Sequence, residues 1–277
     1  MHINLRETFT GSGMILVPHM DDEVLACGGT IALLPDKSDW HVVYATDGMA
    51  SPEPVLPGRD KISPDLGQIR QAEAQAAMAL LGIPPDNVHF LNMPDGRLSH
   101  HQLAVEEAVA HWVSQLQPDH LFVPFRYDRH PDHLALNQAA VRLAKTGSWP
   151  GQISEYFVYY RWRLLPQGDV RRYIRTGLLH EVDITAVAQQ KRAALDCYTS
   201  QTTRFYPWQA RPNLTPELLD EVSQAPEVFL HYDEKLAGTA VFSHAVSWIR
   251  IAHRLEPFLK KRKDQLVARW RRHRNPA

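Results

Sequence analysis

The first 145 residues alternate between short, nearly unbroken apolar runs and longer stretches of helical periodicity. No other feature constrains the fold as strongly. Residues 14–18, 41–46, 88–91 and 121–124 read as strands, and residues 24–34, 68–81, 103–116 and 134–145 read as the helices between them. A strand covered on both faces has no solvated side to keep polar, so apolar runs spaced by helices predict an α/β fold with a mostly parallel sheet and helices on both faces. Farther along, residues 153–160 and 178–182 read as strands and residues 185–198 as a helix, while 204–226 is turn-rich and aromatic. The expected organisation is one domain over 1–240 with a C-terminal extension over 241–277.

Bulk composition narrows the class without choosing a function. A chain of 277 residues with 44% apolar and 22% charged residues can bury a full core and suits a globular enzyme. Two cysteines, Cys27 and Cys197, supply no disulfide framework and suit a reducing compartment. No run has the length of a signal-peptide core or a membrane span, so the expected location is the cytoplasm. Charge is distributed unevenly. From Arg250 to Ala277 there are ten Lys or Arg against two acidic residues, a net +8 that leaves −9 for the rest of the chain.

Two motifs carry the chemistry. His19-Met20-Asp21-Asp22-Glu23 follows the first strand, and His130-Pro131-Asp132-His133 follows the strand at 121–124. Each leads straight into a helix. Ligand sites in parallel sheets lie beyond the carboxyl ends of strands, where both motifs fall. A histidine beside two carboxylates can hold a divalent metal and leave one carboxylate for proton transfer. Adjacent residues at a helix start diverge by about 100°, so Asp21 and Asp22 do not easily share one metal, and spacing alone leaves their roles open. His130 and His133, three apart, share one face of a helical turn. Pro131 suits the first helical position, and Asp132 can orient a histidine through its outer nitrogen.

Together the motifs resemble the PIG-L/LmbE-like family of zinc-dependent N-acetylglucosaminyl deacetylases, over roughly residues 13 to 205. The family usually has Pro where this chain has Met20, a change that touches turn stiffness more than ligation. The resemblance implies a Rossmann-like fold and one Zn2+ per chain on His19, Asp22 and His133. It also implies Asp21 as general base and a catalytic set of Asp21, His130 and Asp132. His130 would then stabilise the oxyanion or protonate the leaving amine. Mixed nitrogen and oxygen ligation suits zinc, but other divalent metals such as iron or cobalt as well.

The implied reaction is hydrolysis of an N-acetyl or other N-acyl group, an amide C–N bond, on a small amino-sugar substrate that is free, lipid-linked or nucleotide-linked. Arg70 and Asp95 are the expected substrate contacts. An Arg70–Glu73 surface pair and a turn-forming Asp95 are the plainer alternatives. Lys191, Ser200 and Gln201 read as mainly structural. A tyrosine that some relatives carry two residues before the catalytic histidine is replaced here by Asp128. Pro118-Asp119-His120 imitates the second motif, but precedes its strand and reads as surface. In the extension, Trp248, Ile249, Ala252, Leu255, Phe258 and Leu259 recur at helical spacing beside the basic residues. That pattern fits either a packing helix with a solvated basic end or peripheral contact with the inner membrane face. No nucleic-acid recognition fold is evident. Two other functional classes compete: a non-catalytic sugar-binding or scaffold protein of this fold, and another metal hydrolase such as a phosphoesterase. The second would need ligands for a second metal.

Overall fold

The computed structural model describes residues 8–54, 60–175, 177–236 and 238–255, with Leu259 and Arg262. Along the chain run β1 (Gly13–Val17), α1 (Asp22–Leu33), β2 (Trp40–Thr46), α2 (Leu66–Leu81), β3 (Val88–Met93), α3 (Gln102–Leu116), β4 (His120–Pro124) and α4 (Pro131–Lys145). There follow β5 (Gln152–Tyr156), β6 (Leu179–Val182), α5 (Ala188–Asp196), the single turn α6 (Thr199–Thr202), α7 (Pro216–Gln224) and β7 (Glu227–His231). Residues 246–255 are also helical.

The seven strands form one sheet in the order β3-β2-β1-β4-β5-β7-β6. The five strands from β3 to β5 are parallel, and β7 runs antiparallel to both β5 and β6. Alternation along each central strand sends side chains to two separate cores. Ile15, Val17, Val42, Tyr44 and Phe122 pack with α1, α2 and α5 on one face. Met14, Leu16, Val43, Leu121 and Val123 pack with α3 and α4 on the other. Burial on both sides is why the middle residues of β1, β2 and β4 are apolar.

The structure adds two elements that the sequence reading placed in or beside a turn-rich stretch, α7 and β7. Both have local signals: Thr215-Pro216 supplies an N-cap and a proline at the first helical position, and Val228-Phe229-Leu230 is a short apolar run after a proline. The strand expected over 153–160 ends at Tyr156, so Phe157–Tyr160 forms the loop that follows it. In α1 the glycine pair permits close packing: a Cβ on Gly29 would stand 2.4 Å from Ile184 Cγ2. Lys191 and Glu227, paired at 2.7 Å, bind the same helix, Lys191 donating to the Leu25 carbonyl and Glu227 accepting from the Gly29 and Thr30 amides.

A third core cluster joins Phe125, Phe157, Trp162, Val228 and Leu230 to Ile249 and Ala252. The described part of the C-terminal extension is therefore docked on the body of the domain. Phe258 and the basic residues at 260, 261 and 263–274 lie outside the described residues, as do residues 55–59.

Strand order places the site. The chain runs outward from β1 through β2 to β3, then crosses back to β4 on the other side of β1. A crevice opens at such a switch point beyond the carboxyl ends of the strands. The two motifs follow β1 and β4, the pair that flanks it.

Candidate metal centre

After β1 the chain turns sharply through Pro18–Asp21. Thr46 at the end of β2 fixes this turn, its amide and hydroxyl both donating to the Pro18 carbonyl. Asp21 caps α1 with φ 129° and ψ −28°, a conformation that costs an L-residue energy and is kept only where surrounding contacts impose it. Arg70, from α2, supplies such contacts. It donates to the carbonyls of Met20 and Gly48, and Nη2 lies 3.4 Å from Asp21 Oδ2. Gly48 has φ +67°, and a Cβ there would stand 2.7 Å from Met20 Cε. On the β4 side, His130 is the N-cap of α4 with Pro131 at the first position, and Asp128 Oδ1 accepts from the His130 amide at 2.9 Å.

These two turns bring three donor atoms together. His19 Nδ1 lies 3.1 Å from Asp22 Oδ2, Asp22 Oδ2 lies 3.2 Å from His133 Nε2, and His133 Nε2 lies 3.3 Å from His19 Nδ1. Ligand atoms about 2.0–2.1 Å from a tetrahedral zinc stand about 3.3–3.4 Å apart. The triangle thus has the size of one face of such a site. Two looser groups, His19–His130–His133 and His19–Asp95–Asp132, also have donor atoms within 4.8 Å of one another. The second uses the opposite nitrogen of His19.

Carboxylates behind the histidines set which nitrogen faces inward. His19 Nε2 is 3.2 Å from Asp132 Oδ2 and 3.1 Å from Asp95 Oδ1. His133 Nδ1 is 3.3 Å from Asp128 Oδ2, an ion-pair separation without hydrogen-bond geometry. A cation between them would displace the inner protons, leave the outer ones on the carboxylate side, and so turn the lone pairs of His19 Nδ1 and His133 Nε2 inward. Asp132 is itself anchored by the amides of Gly96, at 2.7 Å, and Leu98, at 2.9 Å. His130 Nδ1 accepts from the Asp132 amide, so in the neutral ring Nε2 carries the proton.

Charge in the cluster is one-sided. Asp21, Asp22, Glu23, Asp95, Asp128 and Asp132 surround two histidines and the guanidinium of Arg70, all of them buried or nearly so. Burial alone would lower His19 and His133, yet the neighbouring carboxylates win: His19 is driven well above its ordinary value and His133 up to about 9. Burial and the positive rings of His19 and His133 push His130 down to about 4. Burial lifts Asp21 to about 8, opposed by Arg70 and assisted by Asp22 and Glu23. Asp22 runs the other way: His133 and His19 overcome its burial and hold it ionised. Six carboxyl groups around converging lone pairs favour a cation between them, so the donor set fits a divalent metal.

The structure brings His19, Asp21, Asp22, His130, Asp132 and His133 into one cluster. It turns the two expected substrate contacts inward. Arg70 is 1% exposed and braces the Asp21 turn. It does not pair with Glu73, whose carboxylate instead accepts from Thr199 and Ser200. Asp95 directs one oxygen to His19 and the other to the Ala50 amide. Two neighbours were given no role in the sequence reading. Asp128 is buried behind His133. Tyr159, 39% exposed, sets its ring centroid 5.4 Å from that of His133 and 6.4 Å from that of His130, with the Arg129 guanidinium 5.8 Å from its own. Asp128 had a signal, an acidic residue two before an N-cap histidine. Tyr159 had none.

The fold and site define a Rossmann-like α/β protein with a buried cluster of histidines and carboxylates at its switch point. Comparison with known proteins points the same way. Residues 14–144 match the family model PIG-L, described as GlcNAc-PI de-N-acetylase. A probable N-acetyl-α-D-glucosaminyl L-malate deacetylase 2 of Bacillus cereus is 30% identical over 137 residues, 47% of this chain and 59% of that protein. The chain therefore spans less than two thirds of that relative. Among solved structures, N,N'-diacetylchitobiose deacetylase of Pyrococcus horikoshii superimposes with a TM-score of 0.62 at 21% identity, covering 85% of this chain and 88% of that one. GalB of Pseudomonas putida, a 4-carboxy-2-hydroxymuconate hydratase, has a TM-score of 0.53 at 17% identity, covering 83% of this chain and 99% of its own. At these identities the structural matches establish the fold.

Proposed function

We propose that this protein is a metal-dependent hydrolase that removes an N-acetyl group from an amino-sugar-containing substrate and releases acetate. His19, Asp22 and His133 hold one divalent ion, zinc by preference, and the observation that carries this reading is their triangle of donor atoms with edges of 3.1 to 3.3 Å. An ion there supplies positive charge that polarises an amide carbonyl and acidifies water. Asp21, next to Asp22 but outside the triangle, would be held ionised by the positive charge of a bound cation and would then accept the proton from the attacking water. Its strained turn and the Arg70 brace keep that carboxylate at the edge of the cluster. As the tetrahedral oxyanion develops, His130 donates a hydrogen bond from Nε2, and the proton held by Asp21 passes to the leaving nitrogen. Asp132, Asp95 and Asp128 orient the ligand histidines. Tyr159, half-exposed beside His130 and His133, lines the approach. Asp95 and Arg70 are positioning residues in this reading.

Fold alone does not separate deacetylation from hydration, since a hydratase shares it. The family match and the N-acetylglucosaminyl deacetylase relative support hydrolysis of an amide. A phosphoesterase with two metals is disfavoured, because the second group of candidate ligands shares His19 with the first. The two free cysteines suit the cytoplasm. Purified protein should release acetate from a panel of N-acetylated amino sugars, free, nucleotide-linked and lipid-linked. Release should stop with a chelator and return with zinc. Acetate release unaffected by complete metal removal would overturn the metal role, and no release from any member would overturn the substrate class.

A further inference from the structure

The helical residues 246–255 present two faces of opposite character. Ile249 and Ala252 are buried in the third core cluster, and His253 Nε2 lies 3.2 Å from the Asp128 carbonyl. On the adjoining face Trp248, Ile251 and Leu255 are 48%, 47% and 47% exposed. At 100° per residue these three fall within about 60° of arc, so they form a continuous apolar stripe. Leu259, also helical, is 48% exposed. Arg250 and Arg254 are exposed along one edge of the stripe. Contiguous apolar surface is unfavourable in water, and a patch of it rimmed by polar residues marks an interaction site.

Charge selects among occupants. The segment that begins at Arg250 carries net +8, so a second copy seated here would bring two strongly positive segments together. An anionic lipid surface complements the arginines and receives the apolar stripe at the depth of its headgroups, with tryptophan suited to that boundary. No helix among the described residues is long and apolar enough to cross a membrane, so contact would be from one side.

We propose that the exposed face of helix 246–255 docks this protein on an anionic lipid surface, beside the mouth of its metal centre. The contacts of the buried face support that placement. His253 packs on Trp162, with ring centroids 5.7 Å apart, and Trp162 Nε1 donates to the Tyr159 carbonyl at 3.0 Å. Asp128, whose carbonyl faces His253, stands behind His133. A helix lying on lipid is thus one layer of side chains from the loop that orients a ligand histidine. The docking surface does not depend on the hydrolase reading.

The test is sedimentation of the full chain with vesicles of phosphatidylcholine, alone or with about 30% phosphatidylglycerol. It is run on the parent, on Ile251→Glu/Leu255→Glu and on Arg250→Gln/Arg254→Gln. The parent should bind the phosphatidylglycerol vesicles at least tenfold more tightly than phosphatidylcholine alone, and salt should weaken that binding. The glutamate pair should lose at least tenfold, and the glutamine pair severalfold, with melting temperature and metal content unchanged. Equal binding to both vesicles, no binding by the parent, or full binding by the glutamate pair would overturn the proposal. So would a parent dimer that does not bind vesicles and that the glutamate pair dissociates. Vesicle binding by a protein that releases no acetate from soluble N-acetyl sugars would break the hydrolase reading alone.

Discussion

Strand β4 begins and ends in nearly the same residues, Pro118-Asp119-His120 at its amino end and Pro131-Asp132-His133 a short loop after its carboxyl end. Their surroundings differ completely. Asp119 is exposed, and its carboxylate accepts from the amide and hydroxyl of Ser12, tying the chain ahead of β1 to the chain ahead of β4. His120 stacks on Trp40 and bonds to the Thr10 carbonyl. The cleft at that rim, of about 390 Å³, has polar walls including Asp119 and His120, and among the described residues that line it His120 is the one imidazole. Asp132 and His133 are both 0% exposed and lie among His19, His130 and the carboxylates of Asp22, Asp95 and Asp128. In a parallel sheet the strand ends are not equivalent. At the carboxyl end, helix starts aim side chains and amides into a shared crevice, whereas at the amino end the chain arrives from helix C-termini and is merely fastened. Residue type supplies the donors, and position relative to the strand decides whether they meet.

The sharpest way to break this contrast is to truncate the corresponding histidines. His133→Ala should abolish metal binding and reduce turnover to background, while His120→Ala leaves metal content intact. Equal metal loss in both would mean that strand polarity is not the cause. Next in size, Asp21→Asn should keep the metal and lose about 10²–10⁴ in turnover, the range for removing a general base. Loss of metal with turnover preserved would exchange the roles of Asp21 and Asp22.

The aspartates give a smaller difference. Asp132→Asn should weaken metal affinity about 10–100-fold, as loss of a carboxylate behind a ligand histidine generally does. Asp119→Asn should lower the melting temperature by only a few degrees and leave metal affinity alone, measured by competition with a chelating dye. The smallest effect concerns pH. Burial holds His120 below its ordinary value of 6.5, although the Thr10 carbonyl and Asp119 act the other way. A histidine lowered in the folded state contributes stability that is fully present above the unfolded value and is lost as pH falls below it. His120→Phe should therefore flatten the decline in melting temperature below about pH 6.5, and an unchanged slope would show that this ring carries none of it.

The sheet was legible because its central strands are apolar on both faces, and the helices because their periodicity begins at clear starts. β7 was harder to read: five residues, antiparallel, between a loop and a mixed segment. The two motifs were legible as residue types at strand ends. Their geometry was not, because nothing in sequence tells that His19 turns Nδ1 inward and Nε2 toward Asp95 and Asp132. The inward turn of Arg70 and Asp95 follows from contacts with backbone carbonyls and amides of the 47–50 loop, which have no side-chain signature. Tyr159 reaches the site only because β5 stops at Tyr156 and the chain folds back; a strand continued to residue 160 would have carried it elsewhere. The C-terminal stripe showed its period in sequence, but its division into a buried Ile249–Ala252 face and an exposed Trp248–Ile251–Leu255 face depended on where the helix docks.

The central claim is that one cation sits among His19 Nδ1, Asp22 Oδ2 and His133 Nε2. Anomalous diffraction at the zinc edge from crystals of the zinc-loaded protein tests it directly. One peak bonded to those three atoms, with Asp21 and His130 beside it but not bonded, is the predicted result. A peak on the outer group of His19 Nε2, Asp95 and Asp132, or no peak within bonding distance of His133, would contradict the account.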